Sequence, residues 1–147
     1  MIIIADTSGL IAASDKNAAE AADCRTVLAE SGAVIISPLV LTEVDHLAKS
    51  RFGSTARTAI IDSILFQARR GRFEIPAISL DFLETARKVQ RRYSALGLDL
   101  ADGVNVALAA EYRTDVVLTL DRRDFRAIRP LTPHASFRLL PDDLPGA

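Results

Sequence analysis

Apolar residues fall along this chain in two rhythms. In "IIIA" (2–5), "AVIIS" (33–37), "DVVLTL" (115–120) and "SFRLLP" (136–141) they cluster with little interruption, and a shorter run, "FEI", is stopped by Pro76. Between these runs lie longer stretches in which apolar residues return every three or four positions. The first rhythm predicts strands covered on both faces, as in a parallel sheet; the second predicts amphipathic helices. "KNAAEAADCRTVLAES" (16–31) reads as a helix closed by Gly32. Ser37 and Pro38 offer an N-cap and a first-turn proline for a helix to about Ser50, with Val40, Leu41, Val44, Leu47 and Ala48 on its apolar face. "STARTAIIDSILFQARRG" (54–71) carries Ile60, Ile61, Ile64, Leu65 and Ala68 at helical spacing and ends at Gly71. Ser79 caps "LDFLETARKVQRRYSA", "LADGVNVALAAEY" is a further helix, and "DRRDFRAI" makes one or two helical turns.

This order of strands and helices predicts an α/β, doubly wound fold. No repeat, low-complexity tract or linker divides the chain, so residues 1–147 are read as one domain, with the tail "PDDLPGA" (141–147) expected to fray.

In open α/β sheets, ligands bind beyond the carboxyl ends of the strands, near the point where strand order reverses. Asp6 follows "IIIA" and leads into a small polar turn, Thr7-Ser8-Gly9. Asp121 follows "VVLTL". Glu43 sits in the helix after the second strand, and Asp99 and Asp102 open the helix before the fourth. Each has a structural reading as well. Asp99 and Asp102 have capping-box spacing, Asp121 and Asp124 repeat it, and Asp6 suits a turn or cap. Glu43 lies too deep in its helix to cap it. Taken together, acids converging on one sheet edge would raise one another's pKa values unless a cation sits among them. No Lys or His accompanies them; His46 and His134 read as surface or satisfied residues. A hard divalent cation held by carboxylate oxygens is the natural counter-charge, Mg²⁺ or Mn²⁺ rather than zinc, which favours His and Cys.

Composition narrows the picture. A net charge of −1 gives no bulk attraction to nucleic acid, so any such contact must come from local basic patches. Those patches are "DRRDFRAIR", with Arg122, Arg123, Arg126 and Arg129 beside Asp121, together with "ARRGR" (Arg69, Arg70, Arg72) and "RKVQRR" (Arg87, Lys88, Arg91, Arg92). Cys24, the single cysteine, excludes an intrachain disulfide and reads as a small buried helix residue. No secretory leader is visible in "MIIIAD", and no run approaches the roughly 20 apolar residues of a membrane span, so a cytoplasmic location is expected.

Four elements of this pattern resemble the PIN-domain nucleases, in particular the VapC toxins of bacterial toxin–antitoxin pairs. They are the strand ending in Asp in "IIIADTSGL", Glu43 in "SPLVLTEVDHLAK", Asp102 in "LGLDLADGVNVALAAEY", and a T-x-D-x-x-D-F signature in "LTLDRRDF". Gly103 stands where alanine is expected, which would loosen the start of its helix. The resemblance implies about five strands in the order 3-2-1-4-5, flanked by helices, with Asp6 and Asp121 as neighbours. It implies a metal-dependent endoribonuclease in which Asp6, Asp102 and Asp121 hold one or two Mg²⁺ ions. Glu43 would bind a second ion or position water, and Asp99 and Asp124 are extra candidates for the site. Thr7, Ser8 and Thr119 would support it, and Arg122, Arg123 and Arg126 would contact RNA. It also implies a VapB-type antitoxin, with the helices at 38–52 and 54–70 as its candidate surface, and a homodimer. The rival within this fold is a non-catalytic RNA- or protein-binding module. A receiver domain would need a later strand-end Lys, and a haloacid-dehalogenase-type phosphatase a second Asp after Asp6; neither is present.

Overall fold

Five short strands, apolar apart from Glu74 and Arg138, pair side by side and all in parallel. They are β1 (Ile2–Ala5), β2 (Ala33–Ile35), β3 (Phe73–Glu74), β4 (Val116–Leu118) and β5 (Arg138–Leu140), in the spatial order β3-β2-β1-β4-β5. The computed structural model describes residues 1–144 of the 147. Among them seven α-helices flank the sheet: α1 (Thr7–Ser14), α2 (Ala21–Glu30), α3 (Pro38–Phe52), α4 (Ser54–Arg69), α5 (Leu80–Arg92), α6 (Leu100–Glu111) and α7 (Arg122–Ala127).

Alternate strand residues serve opposite faces. Ile3, Ala5, Val34, Ile36, Val116, Leu118 and Leu140 pack under α1–α4. Ile4, Ile35, Val117 and Leu139 pack under α5–α7, with Val89, Val104, Leu108 and Phe125. Both faces are covered, which is why the strands lack polar alternation. In register, Ala5 lies beside Leu118, and the Asp6 amide donates to the Leu118 carbonyl at 2.9 Å. Strand order reverses at β1, so the chain ends of β1 and β4 open onto one crevice.

Three local expectations change. Thr7-Ser8-Gly9 is the first turn of α1, not a loop, because Leu10, Ile11 and Ala12 bury one side of that helix. Gly9 permits this close approach: a Cβ there would lie 2.6 Å from Leu118 Cγ and 2.7 Å from its carbonyl oxygen. The helix expected over 16–31 starts only at Ala21, since Asp15 accepts from the Asn17 amide at 2.9 Å and turns the chain. Gly103 is a packing requirement rather than a weakness, because a Cβ would stand 2.7 Å from the Ala86 carbonyl oxygen where α6 crosses α5.

Of "PDDLPGA", residues 141–144 are described and contact the rest of the fold. Pro141 is buried, Leu144 packs against the α1–α4 core, and Asp142 and Asp143 pair with Arg122 and Arg126 of α7; residues 145–147 of that stretch lie outside the described residues. Cys24 is fully buried in α2, and burial pushes its thiol up to about 11. Among the described residues no helix is long and apolar enough to cross a membrane.

Arg72 has a structural task rather than a free charge. Its guanidinium donates to the carbonyls of Leu28 (3.0 Å), Ala29 (2.9 Å) and Ser31 (2.9 Å), closing the C-terminal end of α2. Hydrogen bonds to a charged group are each worth about 1.5–3 kcal/mol, and cations favour helix C-termini. Arg72→Ala is therefore expected to cost about 2 kcal/mol, read as a shift in the urea midpoint. A loss below about 0.5 kcal/mol, within the scatter of ordinary surface substitutions, would remove this role.

Candidate active site

The crevice at the switch point is walled by Asp6, Thr7 and Ser8 from the start of α1, Glu43, Leu47 and Arg51 from α3, Asp99 and Asp102 from the start of α6, and Leu120 and Asp121 from the end of β4. Its volume is about 420 Å³. Glu43, Leu47 and Arg51 stand four residues apart on one face of α3 and form one wall.

Asp6 occupies the N-cap position of α1, yet its side chain caps no amide of that helix. Its carboxylate accepts from Thr119 Oγ1 at 2.8 Å, from Asn105 Nδ2 at 3.3 Å and, more loosely, from Ser8 Oγ at 3.4 Å. Thr119 also accepts from the Asp121 amide at 2.9 Å, so one hydroxyl joins the two strand-end acids. Burial raises the Asp6 pKa; the Thr119 hydrogen bond opposes this and the charge of Asp121 adds to it.

Asp99 and Asp102 form a reciprocal capping box. The Asp102 amide donates to Asp99 Oδ1 at 2.8 Å, and the Asp99 amide donates to Asp102 Oδ2 at 3.3 Å. Capping and site membership coexist, since Asp102 also lines the crevice. Its pKa is raised to about 8 by burial first, then by Asp99 and Asp6. Asp121 caps α7, accepting from the Asp124 amide at 3.3 Å, and is itself raised by burial and by Asp124. Glu43 is raised by burial, then by Asp99 and Asp6; the Thr7 hydroxyl opposes the rise but does not reach hydrogen-bond geometry.

Carboxylate oxygens of Asp102, Asp121 and Asp124 lie within 4.8 Å of one another, close enough to hold one metal ion. Asp102 thus belongs both to this outer trio and to the deeper group with Asp6 and Glu43. Upward shifts on Asp6, Glu43, Asp102 and Asp121 mean that repulsion and desolvation outweigh every positive group nearby. Thr7 Oγ1, in the crevice wall, and Asn105 Oδ1, on the side chain that holds Asp6, are buried without hydrogen-bond partners. All-oxygen donors, uncompensated negative charge and unmet polar atoms fit a hard divalent cation and its waters.

Two residues of this region are not evident in the sequence. Asn105 is fully buried in α6 and holds Asp6. Arg51, from the last turn of α3, is the only cation in the crevice wall. The basic candidates divide. Arg123 is exposed and partly offsets the shift on Asp121. Arg122 Nε lies 3.2 Å from Asp142, and Arg126 lies 3.1 Å from Asp142 and 2.6 Å from Asp143, so RNA would have to compete for both arginines. His46 is exposed, and His134 contacts Thr132 Oγ1 at 2.6 Å.

Comparison with known proteins points one way. The family model described as "PIN domain" matches residues 3–130. The chain is 33% identical over 132 residues to Ribonuclease VapC26 of Mycobacterium tuberculosis (strain ATCC 25618 / H37Rv), a match covering 88% of this chain and 93% of that protein. The crystal structure of VapC20 from the same species, a Sarcin-Ricin loop cleaving toxin, superposes with a TM-score of 0.70 at 21% identity, covering 82% of this chain and 91% of that one. VapBC2 from Rickettsia felis, solved bound to a DNA fragment from their promoter, gives a TM-score of 0.67 at 18% identity over 95% of this chain and 98% of that one.

Proposed function

The chain belongs to the PIN-domain family, and from that premise we propose that it is a Mg²⁺- or Mn²⁺-dependent endoribonuclease, the VapC-type toxin of a cytoplasmic toxin–antitoxin pair. The observation that carries this reading is the convergence of Asp6, Glu43, Asp99, Asp102 and Asp121 on one crevice with a single arginine opposite them. The ribonuclease activity in the name of the Mycobacterium relative supports it.

In this reading Asp6, Asp102 and Asp121 would hold the cation, directly or through water, with Asp124 as a further candidate. Glu43 accepts a hydrogen bond from the attacking water and orients it. Thr119 and Asn105 keep Asp6 fixed, and Ser8 supports that network through Thr119 at 3.1 Å. The Thr7 hydroxyl is free to donate to a water or phosphate oxygen. Arg51 and Arg123 meet phosphate at the rim. When bound, the cation lowers the pKa of water and neutralises charge gathering on the phosphodiester.

The antitoxin surface in this reading is the outer side of α3 and α4, where Leu65 and Phe66 are 47% and 59% exposed. Such exposure suits an apolar helix laid along a groove. A second copy of the chain completes a homodimer, which sedimentation would detect.

The test is cleavage of a defined RNA by the purified chain. We expect cleavage with Mg²⁺ or Mn²⁺, none in EDTA, and arrested growth of a bacterial host expressing the chain alone. Failure to cleave in both metals would leave a binding module; harmless expression with cleavage intact would remove the toxin role.

A further inference from the structure

A second cavity lies outside the acidic crevice, and we propose that it is an RNA-binding subsite, taking one nucleotide of the single strand that enters that crevice. The proposal rests on the nuclease reading above. The cavity, of about 180 Å³, is formed between the C-terminal half of α5 and the segment after α7. Its lining includes Lys88, Arg92 and Arg129 together with Val89, Tyr93 and the half-exposed Leu131. It falls below the roughly 300–1,000 Å³ of a drug-sized pocket and suits one base.

Charge defines the occupant. No carboxylate lines the cavity, and Lys88, Arg92 and Arg129 enter no ion pair among the described residues. Three cations thus line one cavity in a molecule of net charge −1. Arg122 and Arg126 of α7 are engaged by Asp142 and Asp143, so beyond Arg51 and Arg123 a polyanion entering the crevice needs cations elsewhere.

Aromatic chemistry points the same way. The Arg92 guanidinium lies 5.7 Å from the centre of the Tyr93 ring, and the Tyr93 hydroxyl accepts from the Arg129 amide at 3.0 Å. The ring is thereby tied to both walls. Bases stack on aromatic rings and on guanidinium planes, and phosphates pair with lysine and arginine.

Position links the cavity to the crevice. Gln90 Nε2 donates to the Leu98 carbonyl at 2.9 Å, which anchors the end of α5 beside Asp99. The opposite wall follows α7, whose N-cap is Asp121. A strand lying in the cavity is thus led along the elements that carry the acids.

The experiment compares K88A/R92A/R129A with R25A/K49A/R113G, which removes equal charge outside the cavity and outside the basic patches, glycine suiting the positive φ of Arg113. Both helical positions in the first variant tolerate alanine, and thermal melts confirm folding. Affinity for a labelled single-stranded RNA dodecamer is read by anisotropy in EDTA, where nothing is cleaved. The cavity variant is expected to bind at least about tenfold more weakly and to lose about 2 from the slope of log K against log salt, at about 0.7 per phosphate contact. The control variant is expected to lose less than about twofold. Unchanged affinity in the cavity variant, or an equal loss in the control, overturns the subsite. So does loss of antitoxin binding with RNA affinity intact, which would make the cavity a protein contact. Cleavage by the unaltered chain in Mg²⁺ judges the nuclease reading separately, since the binding result does not depend on it.

Discussion

Asp102→Asn is expected to lower RNA cleavage by about a thousandfold while making the metal-free protein more stable. The two effects have one origin. Asp102 is shared by the outer trio with Asp121 and Asp124 and by the deeper group with Asp6, so its charge contributes to whatever cation the crevice holds. Loss of about 4 kcal/mol of transition-state stabilisation, within the range a bound cation supplies, corresponds to about 10³ in rate. The same charge is a burden without the cation, as its upward shift to about 8 records. Asparagine keeps an oxygen to accept the Asp99 amide, and Asp99 still caps α6, so the local geometry survives. A folding defect would lower activity and stability together. Opposite signs, measured by single-turnover cleavage and by denaturation in EDTA, isolate the chemical role; activity within tenfold of the parent would remove Asp102 from the site. Asn105→Leu tests a subtler role. It leaves Asp6 charged but unheld, and changes to residues that orient ligands typically cost 10–100-fold in activity or metal affinity.

Much of this site was legible because a parallel sheet makes strand ends predictable. "IIIAD" and "VVLTLD" each deliver an acid at the same edge once the runs are read as parallel strands. Glu43 stood out by being too deep in its helix to cap it. The alternative readings of Asp99 and Asp121 as helix caps describe real hydrogen bonds, because a cap and a site residue can be one side chain. What stayed hidden depended on lengths and distant contacts. Arg51 stands eight residues after Glu43 at a helix end, where spacing alone does not say that its side chain joins the crevice wall. Asn105 lay inside an apolar helical run, where a single amide carries no signal of the acid it will meet 99 positions away in sequence. Arg122 and Arg126 were singled out for adjoining Asp121; their pairing with Asp142 and Asp143 depends on how the chain returns after β5, which spacing does not show.

In chelator, the thermal midpoint is expected to fall as pH rises from about 4 to about 8, and Mg²⁺ is expected to reverse the fall. Asp6, Glu43, Asp102 and Asp121 all have folded-state pKa values above their ordinary 3.8 or 4.5. Below about 4 these groups are protonated in both states, and their contribution to stability is fully present. As pH rises the unfolded chain ionises first, while the folded chain retains its protons, so stability is lost until the highest folded value is passed, near 8 for Asp102. Asp143 runs in the opposite sense, because the Arg126 hydrogen bond holds its carboxyl down at about 2. That contribution is lost only in strong acid and leaves the window from 4 to 8 clear. A cation binds the ionised carboxylates, so its stabilising effect must grow as pH rises. At a hundred times its dissociation constant it contributes about 2.7 kcal/mol, or roughly 5–10 °C for a chain of this size. A midpoint that stays flat or rises between pH 4 and 8 in EDTA would contradict the raised pKa values. A Mg²⁺ response of equal size in Asp102→Asn would place the bound ion somewhere other than this crevice.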